Sequence, residues 1–219
     1  ELIHHQKYLK ENFKVFRMAY MAVRSTLIPS PLYEPSSHDA YLKLQFGAEK
    51  DLRLLADHIE TLDAHHVFAV PLSVYSVVEH HFERKRIFCY TSALIQSIWV
   101  NHSRLHATKV FLNLRSEFFD VMVFNGKRMD FFNTFSWTVN DDIIYFLIFV
   151  MEQLSLNPEE VPVVVMGETD DGPLSELLYT YVRHVEFGRQ PGLFKYSHVL
   201  REIPAHAHYV PFNFLTCGL

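Results

Sequence analysis

The stretch Val161–Gly167, VPVVVMG, carries no charge and no alternation of apolar with polar side chains. A strand with one face in water needs that alternation. A strand without it is covered on both faces, as the inner strands of parallel sheets are. The flanking segments read as helices. Asn140 to about Leu156 is mostly apolar and opens with Asp141 and Asp142, and Pro158 stops it. Carboxylates suit the positive end of a helix, and Asn140 is placed to cap it. Pro173 opens another helix, Leu174 to His184, and a short strand follows near Val185–Phe187. A doubly buried strand between two helices requires an α/β fold with a sheet covered on both sides.

Upstream lies a meander. Val110–Leu114, Phe118–Phe124 and Met129–Phe135 read as three strands. Asn125-Gly126 predicts a type I′ hairpin turn, since both residues tolerate positive φ. The order from there is β-β-β-α-β-α-β.

The first half is less regular. Residues 1–12 read as helix, and Phe13 to Ile28, rich in aromatic and β-branched residues, as mostly strand. Pro29, Pro31 and Pro35 mark a loop, and Ser36 or Ser37 starts a short helix. Leu52 to Leu62 and His65 to Val70 read as strands joined at Asp63-Ala64. Helices are expected over Leu72–Phe82 and Ser92–His102. The polar stretch Asn101–Lys109 divides the chain into halves 1–106 and 107–219.

Charge and motifs narrow the function classes. A net charge of -5 argues against a nucleic-acid partner. The apolar run Ile143–Met151 is far shorter than the roughly 20 residues a bilayer span needs. The chain opens without a signal-peptide pattern, and its 2 cysteines, Cys89 and Cys217, match no metal or disulfide framework, which fits a reducing cytoplasm. There is no phosphate-binding GxxxxGK[ST], GxSxG, HExxH or GxGxxG signature, so nothing argues for an enzyme. Histidines occur as adjacent pairs, His4-His5, His65-His66 and His80-His81, and neighbours on a helix or strand diverge. His206 and His208 could share a face near Cys217, without the further ligands zinc wants. Phe131, Phe132, Phe135 and Trp137 form a dense aromatic strip, expected mainly in the core; any left exposed would suit a protein partner.

Four stretches carry a family resemblance: STLIPSPLY at 25–33, HHVFAVPLSVYSVVEHHF at 65–82, LNLRSEFFDVMVFNGKRMDFFNTF at 112–135, and LREIPAHAHYVPFNFLTCGL at 200–219. They resemble an uncharacterised Bacteroidetes family, domain of unknown function 3822. That family is similar to a divergent branch of the actin-like ATPase fold, shared by sugar kinases, Hsp70 chaperones, PilM and FtsA. The resemblance implies two ribonuclease H-like halves with mixed sheets around a cleft. Members of that family begin with a further β-hairpin, whereas this sequence starts at a helix, so the resemblance implies that the first strands of the N-terminal half are either absent or lie ahead of residue 1.

An actin-like hydrolase holds phosphate at the first hairpin corner of each half, with an Asp for metal-bound water, a Gly for close backbone approach and hydroxyls as donors. On this resemblance Asn113 takes the Asp position, Arg115 the Gly position and Ser116 the hydroxyl. Asn113 brings no charge to Mg²⁺, a hard cation. Arg115 binds phosphate well in general but obstructs the backbone. Glu117 adds a like charge beside an anion, about 4 kcal/mol at 4 Å and a dielectric near 20. On the adenosine side Gly167 ends the buried strand, but Glu168 follows where active relatives place a second glycine. The expectation is a non-catalytic cytoplasmic scaffold or adaptor with a degenerate nucleotide site, no cofactor, no metal and a protein partner. The rival is a nucleotide-binding protein or phosphotransferase with a rewired site. It would use Arg115 and Ser116 for phosphate, Gly167 beside adenine, and Asp170 or Asp171 for metal.

Overall fold

The computed structural model describes residues 14–102, 107–167, 172–189, 197–198 and 203–213. The expected helix at 1–12, the His4-His5 pair, Glu168, Asp170, Asp171 and Cys217 lie outside the described residues. The chain divides after Ala93 into two compact units.

In the first unit the expected long strand Phe13–Ile28 is two strands that join different sheets. β1 (Phe16–Tyr20) runs parallel to β5 (Lys85–Cys89), and β2 (Ser25–Pro29) runs antiparallel to β4 (Ala64–Pro71). The chain turns at Ala22, whose N–H donates to the Tyr20 carbonyl at 3.0 Å. β3 (Leu52–Ile59) completes a three-stranded sheet of order β2-β4-β3. Asp63 sits in the left-handed region at φ 48°, as an Asp at a tight connection can. Helix α1 (His38–Phe46) covers one face through Leu42, against Val67 and Ala69. The other face, with Phe68 and Val70, packs on Ala22 and Cys89 and on Val74 and Tyr75 of α2 (Leu72–His81). β5 adds to the expected elements. It is short and carries Lys85 and Arg86, so its strand character comes from pairing with a distant segment.

The second unit follows the order read from the sequence. β6 (Thr108–Leu114), β7 (Phe118–Asn125) and β8 (Arg128–Ser136) form the meander. β9 (Val163–Gly167) and β10 (Val185–Phe187) lie parallel to β6, giving a five-stranded sheet of order β10-β9-β6-β7-β8. Between them run α4 (Asn140–Gln153) and α5 (Pro173–Tyr181); α3 (Tyr90–His102) precedes the sheet and α6 (Tyr209–Asn213) follows it. One sheet face, with Leu112, Leu114, Phe119, Val121, Val163 and Val165, packs on Ile143, Leu147 and Leu178 of α4 and α5. The opposite face carries Phe111, Asn113, Asp120, Met122, Val164 and Met166, all buried.

Two local expectations are corrected. The hairpin pairs Asn125 with Arg128, so Gly126 and Lys127 are the central residues. Gly126 has φ 60° and Lys127 has no positive φ, the pattern of a type II′ turn with Gly first. Asn140 is the first residue of α4, with Val139 at the cap position. The capping is done by Asp142, whose carboxylate accepts the N–H groups of Thr138 at 2.9 Å and Val139 at 3.1 Å. Those two bonds hold the Asp142 carboxyl below the usual range. The helix ends ahead of Pro158, where Ser155 turns to φ 54°.

His102, at the end of α3, meets the Phe111 ring edge-on with centroids 4.9 Å apart. Burial first, then Lys109, lowers its pKa from 6.5 to about 4. A depressed histidine pKa means the folded chain resists taking the proton. Stability is therefore whole above pH 6.5 and falls as pH drops from there toward 4. The expected loss is about 2–3 kcal/mol, followed by urea midpoints from pH 7 to 4. A His102→Phe variant should lack that part of the decline.

Candidate functional site

Asn113 and Gly167 come together because β6 and β9 run parallel, with Asn113 opposite Met166 and Leu114 opposite Gly167. The corner Arg115–Phe118 is thus at the carboxyl end of the central strands, where open α/β sheets place ligands. All four expected positions, Asn113, Arg115, Ser116 and Gly167, stand at this end of the sheet. Ser116 and Glu117 are exposed at the turn.

Neighbouring the corner is a residue the sequence reading passed over. Asp120 is fully buried opposite Asn113 in the β6–β7 register. Its carboxylate accepts three side-chain bonds: Asn113 Nδ2 at 2.9 Å, Arg115 Nη2 at 2.7 Å and Thr134 Oγ1 at 2.7 Å. The Asp120–Arg115 contact is an ion pair at the foot of the corner, with the Phe118 ring centroid 5.9 Å from the guanidinium carbon. The signal was a lone acid inside an apolar strand, FFDVMVF. A carboxylate there is buried only with partners.

The corner's backbone is tied as well. Arg115 N–H donates to the Phe118 carbonyl at 2.9 Å, and the Trp137 indole donates to the Arg115 carbonyl at 2.9 Å. Trp137 N–H donates to the Glu117 carbonyl at 3.1 Å. No residue from Asn113 to Phe118 has positive φ, so the chain forms no concave nest of amides for an anion.

Gly167 has φ 88°. A Cβ there would overlap the Leu114 carbonyl oxygen and lie 2.8 Å from the Leu114 nitrogen. Its N–H donates to the His206 carbonyl at 2.8 Å. The glycine is explained by the close approach of its neighbouring strand. Two buried atoms of the cluster, Asn113 Oδ1 and Arg115 Nε, find no partner among the described residues. One needs a donor and the other an acceptor. A water molecule can serve as both, whereas a fully ionised phosphate has no proton to offer Asn113.

A second buried polar cluster lies in the first unit. Asp57 Oδ2 accepts the Cys89 N–H at 2.8 Å, and His66, paired with Asp57 in the β3–β4 register, meets Ser92 Oγ through Nδ1 at 2.9 Å. Burial raises the Asp57 carboxyl and pushes the Cys89 thiol up to about 11. Ser92 and Cys89 are fully buried, so neither is presented as a nucleophile. Among the described residues no group of three His, Cys, Asp or Glu side chains is arranged to hold a metal ion.

This topology, a 3-2-1-4-5 sheet with helices on one face between the last three strands, belongs to the actin-like ATPase fold. Comparison with solved structures shows the same. A Bacteroides thetaiotaomicron protein with actin-like ATPase fold and unknown function superposes with a TM-score of 0.85 at 18% identity, covering 99% of this chain and 79% of that one. A chain of the PilM-PilN type IV pilus biogenesis complex matches with a TM-score of 0.52 at 13% identity, covering 88% of this chain and 75% of that one. At these identities the likeness concerns the fold. The chain belongs to the family described as protein of unknown function DUF3822, whose pattern it matches over residues 1–185. No curated protein matches it. No helix among the described residues is long and apolar enough to cross a membrane.

Proposed function

We propose that this chain is a non-catalytic protein of actin-like fold, a cytoplasmic scaffold or adaptor that works through surface contacts. Its nucleotide site is degenerate at Asn113, Arg115, Ser116 and Gly167. One observation carries the reading: the cation at the phosphate corner, Arg115, is spent on the buried carboxylate of Asp120. A phosphate arriving there would compete with an ion pair already formed and would meet Glu117 and the uncharged Asn113 rather than a metal-binding Asp. The absence of any positive-φ residue at the corner and the committed Gly167 amide support the same reading. In this reading residues 107–219 carry the degenerate site and residues 1–106 the divergent half. The partner is a protein, by analogy with a fold relative found as a PilM-PilN complex.

The test is thermal. With millimolar Mg-ATP the melting temperature of the full chain is expected to stay within about 1 °C of its value without nucleotide. By mass action a ligand at a hundred times its Kd adds about 2.7 kcal/mol, several degrees for a chain of this size. A shift of that size would defeat the proposal.

A further inference from the structure

The geometry points to a docking groove on α4 for an amphipathic helix of a partner protein, apolar along one face and basic at both ends. This inference rests on the adaptor reading, to which it supplies a surface. α4 buries Ile143, Leu147, Val150 and Met151, yet turns Tyr145 and Phe149 outward, 64% and 44% exposed. Their rings lie 6.3 Å apart and nearly parallel. Tyr181, at the end of α5, is 52% exposed and forms a second wall. Together with Ile148 they line a groove of about 370 Å³.

The ends of the groove say what fits it. Asp141 lines it one turn before Tyr145, and Glu152 closes it after Phe149. Among the described residues neither carboxylate has an ion-pair partner. They are separated by about 16 Å along the helix at 1.5 Å per residue. A partner helix of three turns, with apolar residues at i, i+3 or i+4, and i+7, covers the rings and brings a Lys or Arg to each carboxylate. A second copy of this chain does not fit. Antiparallel pairing about a two-fold axis sets Asp141 of one copy against Glu152 of the other, and parallel pairing sets like against like. The acidic ends also repel nucleic acid and anionic lipid.

The experiment displays 16-residue helix-forming peptides with randomised flanks to the full chain, and measures binding of the selected peptides by fluorescence anisotropy. Selected peptides are expected to carry Lys or Arg on both flanks. Tyr145→Ala or Phe149→Ala should weaken binding at least about tenfold, as loss of an aromatic anchor does. Asp141→Lys with Glu152→Lys should transfer preference to the Glu-flanked form of the same peptide. Each substituted side chain is exposed, and an unchanged melting temperature checks the fold. The inference is overturned if no peptide is selected, if acid-flanked peptides win, or if these variants leave binding unchanged. It is also overturned if sedimentation shows a dimer that Tyr145→Ala abolishes. The Mg-ATP measurement is independent: a nucleotide shift sinks the adaptor reading, whereas the groove stands or falls on the peptides.

Discussion

Asp120→Ala is expected to destabilise the chain by about 3–5 kcal/mol, the cost of removing one partner of a buried ion pair. Three donors converge on this carboxylate, from Asn113, Arg115 and Thr134. Without it the Arg115 guanidinium is left charged beside a buried sheet face. Urea unfolding with an unchanged slope would give the loss as a shift in midpoint. The discriminating variant is Asp120→Leu with Arg115→Met. Replacing a whole buried pair by apolar residues of similar volume is often near neutral, so the double variant should recover the part of the loss that comes from the stranded Arg115 charge, while Asn113 and Thr134 stay without their acceptor. A corner built for phosphate would behave otherwise: the single variant would lose little stability because Arg115 would have been free for a ligand. A loss below about 1 kcal/mol would contradict the internal role assigned to the pair.

Gly167→Ala is expected to remove at least about 3 kcal/mol. Positive φ strains any residue with a Cβ, at roughly 1 kcal/mol or more. The larger part is steric, because the methyl group would occupy the space of the Leu114 carbonyl on the neighbouring strand. Backbone cannot swing aside as a flexible side chain can, so β6 and β9 must separate and their parallel ladder weakens. The His206 carbonyl, held by the Gly167 amide, would lose its donor in the same movement. Circular dichroism melting would register this as a drop of several degrees, or as failure to fold. A variant of near wild-type stability would instead leave the glycine free for a ligand role.

The second unit was legible because its signals are local. The doubly apolar run at Val163–Gly167, the turn residues that divide the meander and the proline that opens α5 each act over a few residues. Their order admits few topologies. The family resemblance added the fold name and the positions at the corner. The first unit was harder. Its long apolar stretch splits between two sheets at Met21–Arg24, and β5 exists through pairing with β1 rather than through its own composition. No local pattern encodes which distant strand will be the neighbour. At the corner, the residue types were readable and suggested chemistry unsuited to a triphosphate. That Arg115 was already paired was not readable, because Asp120 stands across a strand register that a one-residue shift would have undone.

Periodicity and composition therefore settle the α/β layering, the β-β-β-α-β-α-β order and the poverty of catalytic motifs, since each depends on neighbours along the chain. The union of Asn113, Arg115, Asp120 and Thr134 in one buried cluster depends on neighbours across strands. So does the overlap that makes Gly167 a glycine, and so does the aromatic groove left open on α4. Those are consequences of register and packing, and they arise only when segments far apart in the chain are brought to within a few ångströms of each other.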